Sequence, residues 1–97
     1  MKLRLTRRAN ENLASIADYL RARSPQAARR VRTNIFSSFQ LLTAFPFAGR
    51  RQSTEGVRKL VTTKYAYLIY YAVDEAEDTI VILSIRHPAQ EREYEDE

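Results

Sequence analysis

Three strand-like runs follow one another between Val57 and His87, and they constrain this chain more than any other feature. They are Val57-Arg58-Lys59-Leu60-Val61, then Ala66-Tyr67-Leu68-Ile69-Tyr70-Tyr71-Ala72-Val73, then Thr79-Ile80-Val81-Ile82-Leu83-Ser84-Ile85. Each is rich in β-branched and aromatic residues, and polar breaks at Lys64-Tyr65 and Asp74-Glu75-Ala76-Glu77-Asp78 separate them. Connections this short make an antiparallel meander. The middle run is apolar on both parities, with Tyr67, Ile69, Tyr71 and Val73 on one face and Ala66, Leu68, Tyr70 and Ala72 on the other. That pattern marks a central strand covered on both sides, or covered on one side and open to a partner on the other.

The stretch from Thr6 to Phe45 holds no strand-like run and two helical periods. Ala9, Leu13, Ile16, Ala17 and Leu20 form the apolar stripe of a helix over about residues 7–23, with Thr6 as its N-cap. Ser24-Pro25 ends that helix and starts the next, since serine caps and proline is tolerated at the first helical position. Ala28, Val31, Ile35, Phe39 and Leu42 carry the second stripe to about Ala44, so the two helices make a tight antiparallel hairpin. Lys2-Leu3-Arg4-Leu5 alternates as a short strand with Leu3 and Leu5 inward, and Phe45-Pro46 through Gly56 reads as loop. The expected class is α+β: an N-terminal strand, then a helical hairpin packed on an antiparallel meander.

Ninety-seven residues are expected to make one domain over 1–97, ending in a charged tail over 88–97. With no cysteine the core is held by packing, which suits a reducing cytoplasm, and no apolar run approaches the roughly 20 residues of a membrane span. The net charge of +4 hides an asymmetry. Residues 1–56 hold eleven Lys/Arg against Glu11, Asp18 and Glu55, a net +8, whereas residues 57–97 hold five against nine acids, a net −4. The basic half is the helical half. Such a field attracts nucleic acid, an acidic peptide or an acidic protein surface, or else it only solvates the outer helix faces.

Little in the composition supports catalysis. One histidine and no cysteine leave no metal cluster, and two glycines cannot build a phosphate loop. No cofactor is expected. His87 at the end of the last strand is either a proton shuttle or a cap on that strand end. Arg58, Lys59 and Arg86 either converge to bind phosphate or act as edge charges that discourage strand pairing. Tyr65, Tyr67, Tyr70 and Tyr71 suit a packed aromatic core better than base stacking. Tyr94 sits in a fully charged tail with no core to join.

Several segments, in order, resemble the RelE/ParE superfamily of bacterial toxins from type II toxin–antitoxin pairs. They are residues 13–20, Ser24-Pro25-Gln26-Ala27-Ala28, Leu41-Leu42 with Phe45-Pro46 and Gly49-Arg50, then Val57-Arg58-Lys59-Leu60, residues 67–73 and residues 80–87. The resemblance implies two branches. In one, ribosome-dependent endoribonucleases cleave messenger RNA, and Arg58, Lys59, Arg86, His87 and Tyr94 would fill several of their roles. The other, ParE-like, poisons DNA gyrase. Where the ribonuclease arginine aligns, this chain has Tyr67, and losing that guanidinium removes typically two or more orders of magnitude in rate. The ParE-like branch is therefore the expectation, with DNA gyrase as target and Arg58, Arg86, His87 and Tyr94 as the target-facing set. A plain nucleic-acid-binding module is the remaining alternative. The resemblance also implies a ParD-like antitoxin whose acidic segment folds across the toxin, for which Leu13, Ile16, Leu20, Val31, Ile35, Tyr67, Ile69 and Tyr71 are the candidate contacts.

Overall fold

A computed structural model describes residues 1–89, with elements in the order β1 (Lys2–Leu5), α1 (Arg7–Arg23), α2 (Pro25–Ala44), β2 (Arg50–Arg51), β3 (Arg58–Val61), β4 (Leu68–Asp74) and β5 (Thr79–Arg86). The five strands form one sheet in the order β1-β5-β4-β3-β2. β3, β4 and β5 are the antiparallel meander, and β1 joins β5 in parallel, so the helical hairpin carries the chain from β1 at one edge of the sheet to β2 at the other.

Local chemistry sets the helix ends. The Thr6 hydroxyl accepts from the Ala9 amide at 3.1 Å, and the Ser24 hydroxyl accepts from the Ala27 amide at 3.2 Å with Pro25 just inside α2. The same Thr6 hydroxyl donates to the Leu83 carbonyl at 2.9 Å, while its amide donates to Ile82 at 3.0 Å. Leu83 lies at a register shift between β4 and β5, where Tyr71 pairs with Ile82 and Tyr70 with Ser84. The bulge frees backbone groups that the sheet cannot pair. Thr6 takes one, and the Asn12 Oδ1 accepts from the Ile85 amide at 3.0 Å, so α1 is pinned to the irregular part of β5.

Both helices lie on one face of the sheet. There Ala9, Val31, Ile35, Phe39 and Leu42 pack with Tyr67, Ile69, Tyr71, Ile80, Ile82 and Ile85, and Leu5, Leu13, Ile16, Leu20, Leu60 and Val73 close the margin. Fully burying each large aliphatic side chain contributes about 1.5–3 kcal/mol. On the opposite face Val57, Leu68 and Tyr70 form a second cluster with Leu83. The alternation expected along the middle strand is the one seen.

Three details differ from the sequence reading. Arg50–Arg51 pairs with Arg58 and Lys59 as a two-residue strand inside the stretch read as loop. Leu3 is 37% exposed on the edge strand β1. Ile69 and Tyr71, expected at an antitoxin contact, are fully buried beneath the helices because their parity points them into the main core.

Candidate functional site

The hairpin leaves an apolar groove on its outer side. Leu13, Ile16, Ala17 and Leu20 of α1 face Ala28, Val31 and Ile35 of α2 across a cleft of about 260 Å³, with Phe36, Arg21 and Arg32 on its rim. Val31 and Ile35 form the buried floor, whereas Leu13, Ile16 and Leu20 are half-buried and Phe36 is 40% exposed. Five of the eight residues expected to meet an antitoxin therefore converge here, two as floor and three as wall.

Ile16 also lines a second cleft, of about 430 Å³, between α1 and the end of the sheet. Its other walls are Ser15, Tyr19, Tyr67, His87 and Ala89. Tyr67 and His87 meet edge to face, with ring centroids 5.5 Å apart and planes at 87°. Burial pushes the Tyr67 hydroxyl above its ordinary pKa, and the neighbouring Tyr19 adds to the effect. The His87 Nδ1 accepts from the Ala89 amide at 3.0 Å, so this nitrogen already caps the strand end. The two clefts meet at Ile16 and make one apolar track that crosses α1 from α2 to the end of β5.

The basic candidates do not gather at one point. Successive side chains of a strand face opposite sides, so Arg58 and Lys59 diverge. Arg58 pairs with Tyr71 and lies on the helix side, where its guanidinium donates to the Gly49 carbonyl at 2.8 Å and sits 5.0 Å from the Phe47 ring. Lys59 pairs with Tyr70 and lies on the opposite face, which Arg86, paired with Leu68, shares. His87 is across the sheet at the helix-side cleft. Cleaving a phosphodiester needs base, acid and charge stabilisation within hydrogen-bond reach of one phosphate, and Arg58 and Lys59 cannot supply that together. Tyr94 lies outside the described residues. Among the described residues no three His, Cys, Asp or Glu side chains come together as a metal site would require.

The loop between α2 and β3 holds features the sequence did not signal. The Tyr71 hydroxyl donates to the Pro46 carbonyl at 2.8 Å and accepts from the Gly49 amide at 2.8 Å. Gly49 is required by close approach: a Cβ there would stand 2.5 Å from the Tyr71 Oη and 2.9 Å from the Lys59 carbonyl oxygen. Gln52 is buried, and its amide nitrogen donates to the Arg50 and Arg51 carbonyls, both at 3.0 Å. These contacts hold Arg51 beside Arg58 at a cleft of about 530 Å³ that also takes in Phe47, Glu55, Val73 and Glu75. A lone glutamine between Arg51 and Ser53 carries no pattern that could have announced this role.

Residues 3–92 match the family described as the ParE toxin of the type II toxin–antitoxin system parDE. A Sinorhizobium fredii protein named as a candidate toxin, Y4kP, is 30% identical over 90 residues, spanning 93% of this chain and 91% of that protein. The chromosomal ParDE system of P. aeruginosa contains a chain of the same fold, with a TM-score of 0.75, 29% identity, and coverage of 90% of this chain and 95% of that one. The E. coli RelBE toxin–antitoxin complex matches in fold alone, with a TM-score of 0.60 at 14% identity over 94% of this chain and 98% of that one.

Proposed function

This chain belongs to the ParE toxin family of type II toxin–antitoxin systems, and we propose that it arrests growth by poisoning DNA gyrase in the cytoplasm and is neutralised by a ParD-like antitoxin. One observation carries the choice of target. The described residues that would cleave messenger RNA, Arg58 and His87 against Lys59 and Arg86, are divided between the two faces of the sheet, and the Arg58 guanidinium already serves the Gly49 carbonyl. Tyr67, at the place of the aligned ribonuclease arginine, is a buried aromatic in edge contact with His87. Among the described residues these groups do not assemble as a nuclease centre, and on this reading the toxin acts by binding. On this reading Arg51 and Arg58 at the β2–β3 edge, with Arg86 and His87 at the end of β5, are the surfaces offered to the target.

The apolar track supports the antitoxin part of the proposal. An amphipathic segment laid along it would bury the exposed parts of Leu13, Ile16, Leu20 and Phe36, and its carboxylates would lie beside Arg21 and Arg32. The surplus positive charge of residues 1–56 steers such an acidic segment inward. The purified chain is added to a gyrase supercoiling reaction and, separately, to a translating ribosome extract. Blocked supercoiling or trapped DNA breaks with intact messenger is expected; cleaved messenger with unaffected gyrase would overturn the reading in favour of a messenger endoribonuclease.

A further inference from the structure

The outward face of α2 is a cationic trough that borders the antitoxin track at Arg32 and Phe36 and lies apart from the target-facing edge. Two shallow clefts, of about 410 and 430 Å³, run along it and share Arg29, Thr33 and Ser37. Arg30, Lys64 and Tyr65 wall one side, while Arg32, Phe36 and Gln40 wall the other. α2 contains no acidic residue, and none occurs between Asp18 and Glu55. Among the described residues the one ion pair is Arg21 with Asp18, so Arg29, Arg30 and Lys64 meet no carboxylate there. Lys64 is held towards the trough by a tight turn, in which the Thr62 hydroxyl accepts from the Tyr67 amide at 2.9 Å and Lys64 itself takes a left-handed φ of 73°.

We propose that this face docks on the phosphate backbone of duplex DNA, with Arg29, Arg30 and Lys64 as cationic contacts and Thr33 and Ser37 as hydroxyl donors. Cations alternating with hydroxyls are the donor set that binds phosphate oxygens without reading sequence. The part of α2 that lines the trough, from Arg29 to Gln40, extends over about 17 Å, long enough to meet several phosphates of a duplex rather than one. A folded polypeptide partner would need apolar area to bury, yet away from the border at Phe36 the trough offers only Tyr65, whose ring lies 5.6 Å from the Lys64 ammonium. The same capping removes the bare aromatic platform on which single-stranded bases stack. The proposal does not depend on gyrase being the target.

Fluorescence anisotropy of the full chain with a labelled 20-base-pair duplex of arbitrary sequence, from 50 to 200 mM salt, tests it. Three phosphate contacts at about 0.9 each give a log–log slope near −2.7, which is about a 40-fold loss of affinity over that range. In Arg29→Gln/Arg30→Gln the slope falls by about 1.8 units and binding at 100 mM salt weakens by roughly tenfold or more. Arg4→Gln/Arg7→Gln, an equal change of charge at exposed positions away from the trough, keeps the wild-type slope. No duplex binding by wild type at 50 mM salt, or a slope that Arg29→Gln/Arg30→Gln leaves unchanged, overturns the proposal. So does tighter binding of single-stranded RNA than of duplex. Loss of antitoxin affinity in Arg29→Gln/Arg30→Gln with duplex binding intact would give the surface to a polypeptide and overturn it as well.

Discussion

Tyr71→Phe deletes one oxygen atom and two hydrogen bonds while keeping the ring that fills the core. The lost hydroxyl leaves the Gly49 amide and the Pro46 carbonyl without their partner, both previously at 2.8 Å. Gly49 is buried, so its stranded amide bears the full desolvation cost, whereas Pro46 is half-buried and recovers some hydration. An unsatisfied buried group costs about 1–3 kcal/mol, so the substitution should cost about 2–4 kcal/mol in all. That is a large part of the roughly 5–15 kcal/mol that holds a domain of this size together. In urea unfolding followed by circular dichroism the midpoint should fall by roughly 1–2 M with an unchanged slope. The loop that carries Arg51 and presents Arg58 would loosen first, so target inhibition should weaken before the fold is lost. A midpoint shift below about 0.3 M would refute the clasp, because it would mean that water satisfies both groups as well as Tyr71 does.

Gly49→Ala should be at least as damaging, since the new methyl meets the Tyr71 ring and the Lys59 backbone; a thermal midpoint within about 2 °C of wild type would contradict the close approach seen here. Burial raises the Tyr67 and Tyr71 hydroxyls above the ordinary value of 10.0. Above pH 10 the unfolded chain therefore loses protons that the folded chain keeps. Stability should be fully present below pH 10 and decline as pH rises towards the folded values, less steeply in Tyr71→Phe, as read by urea midpoints from pH 8 to 11. Thr6→Ala removes both the α1 cap and the bond to Leu83, and should cost about 1–2 kcal/mol in the same assay. Ile16→Ala, at the junction of the two clefts, should weaken antitoxin binding about tenfold by calorimetry with the fold retained; an unchanged affinity would remove α1 from the interface.

Helices and meander were legible because each boundary had its own chemistry. Thr6 and Ser24-Pro25 announce caps, and the stripe from Ala9 to Leu20 has only one geometry that buries it. β2 was not legible, since two arginines after Gly49 carry no alternation and pair only because Arg58 and Lys59 stand opposite. Nor was the bulge at Leu83, which is set by the register between β4 and β5 rather than by a turn residue. In the candidate site the two-residue period of a strand places Arg58 and Lys59 on opposite faces. Tyr71 suits a packed core by sequence, but nothing there shows what its hydroxyl bonds. The partners of that hydroxyl lie 22 and 25 residues earlier, and only folding brings them within reach. Leu13, Ile16 and Leu20 keep partly exposed apolar surface, because a helix stripe wider than its seam on the sheet leaves such surface at its margin.

We propose that this toxin acts by binding gyrase rather than by cutting RNA. After brief induction in growing cells, detergent-trapped gyrase–DNA covalent complexes and messenger 5′ ends are mapped in the same lysates. The account predicts that the covalent complexes accumulate while the messenger ends stay as in uninduced cells. New messenger ends at translated codons, with no rise in trapped gyrase, would contradict it.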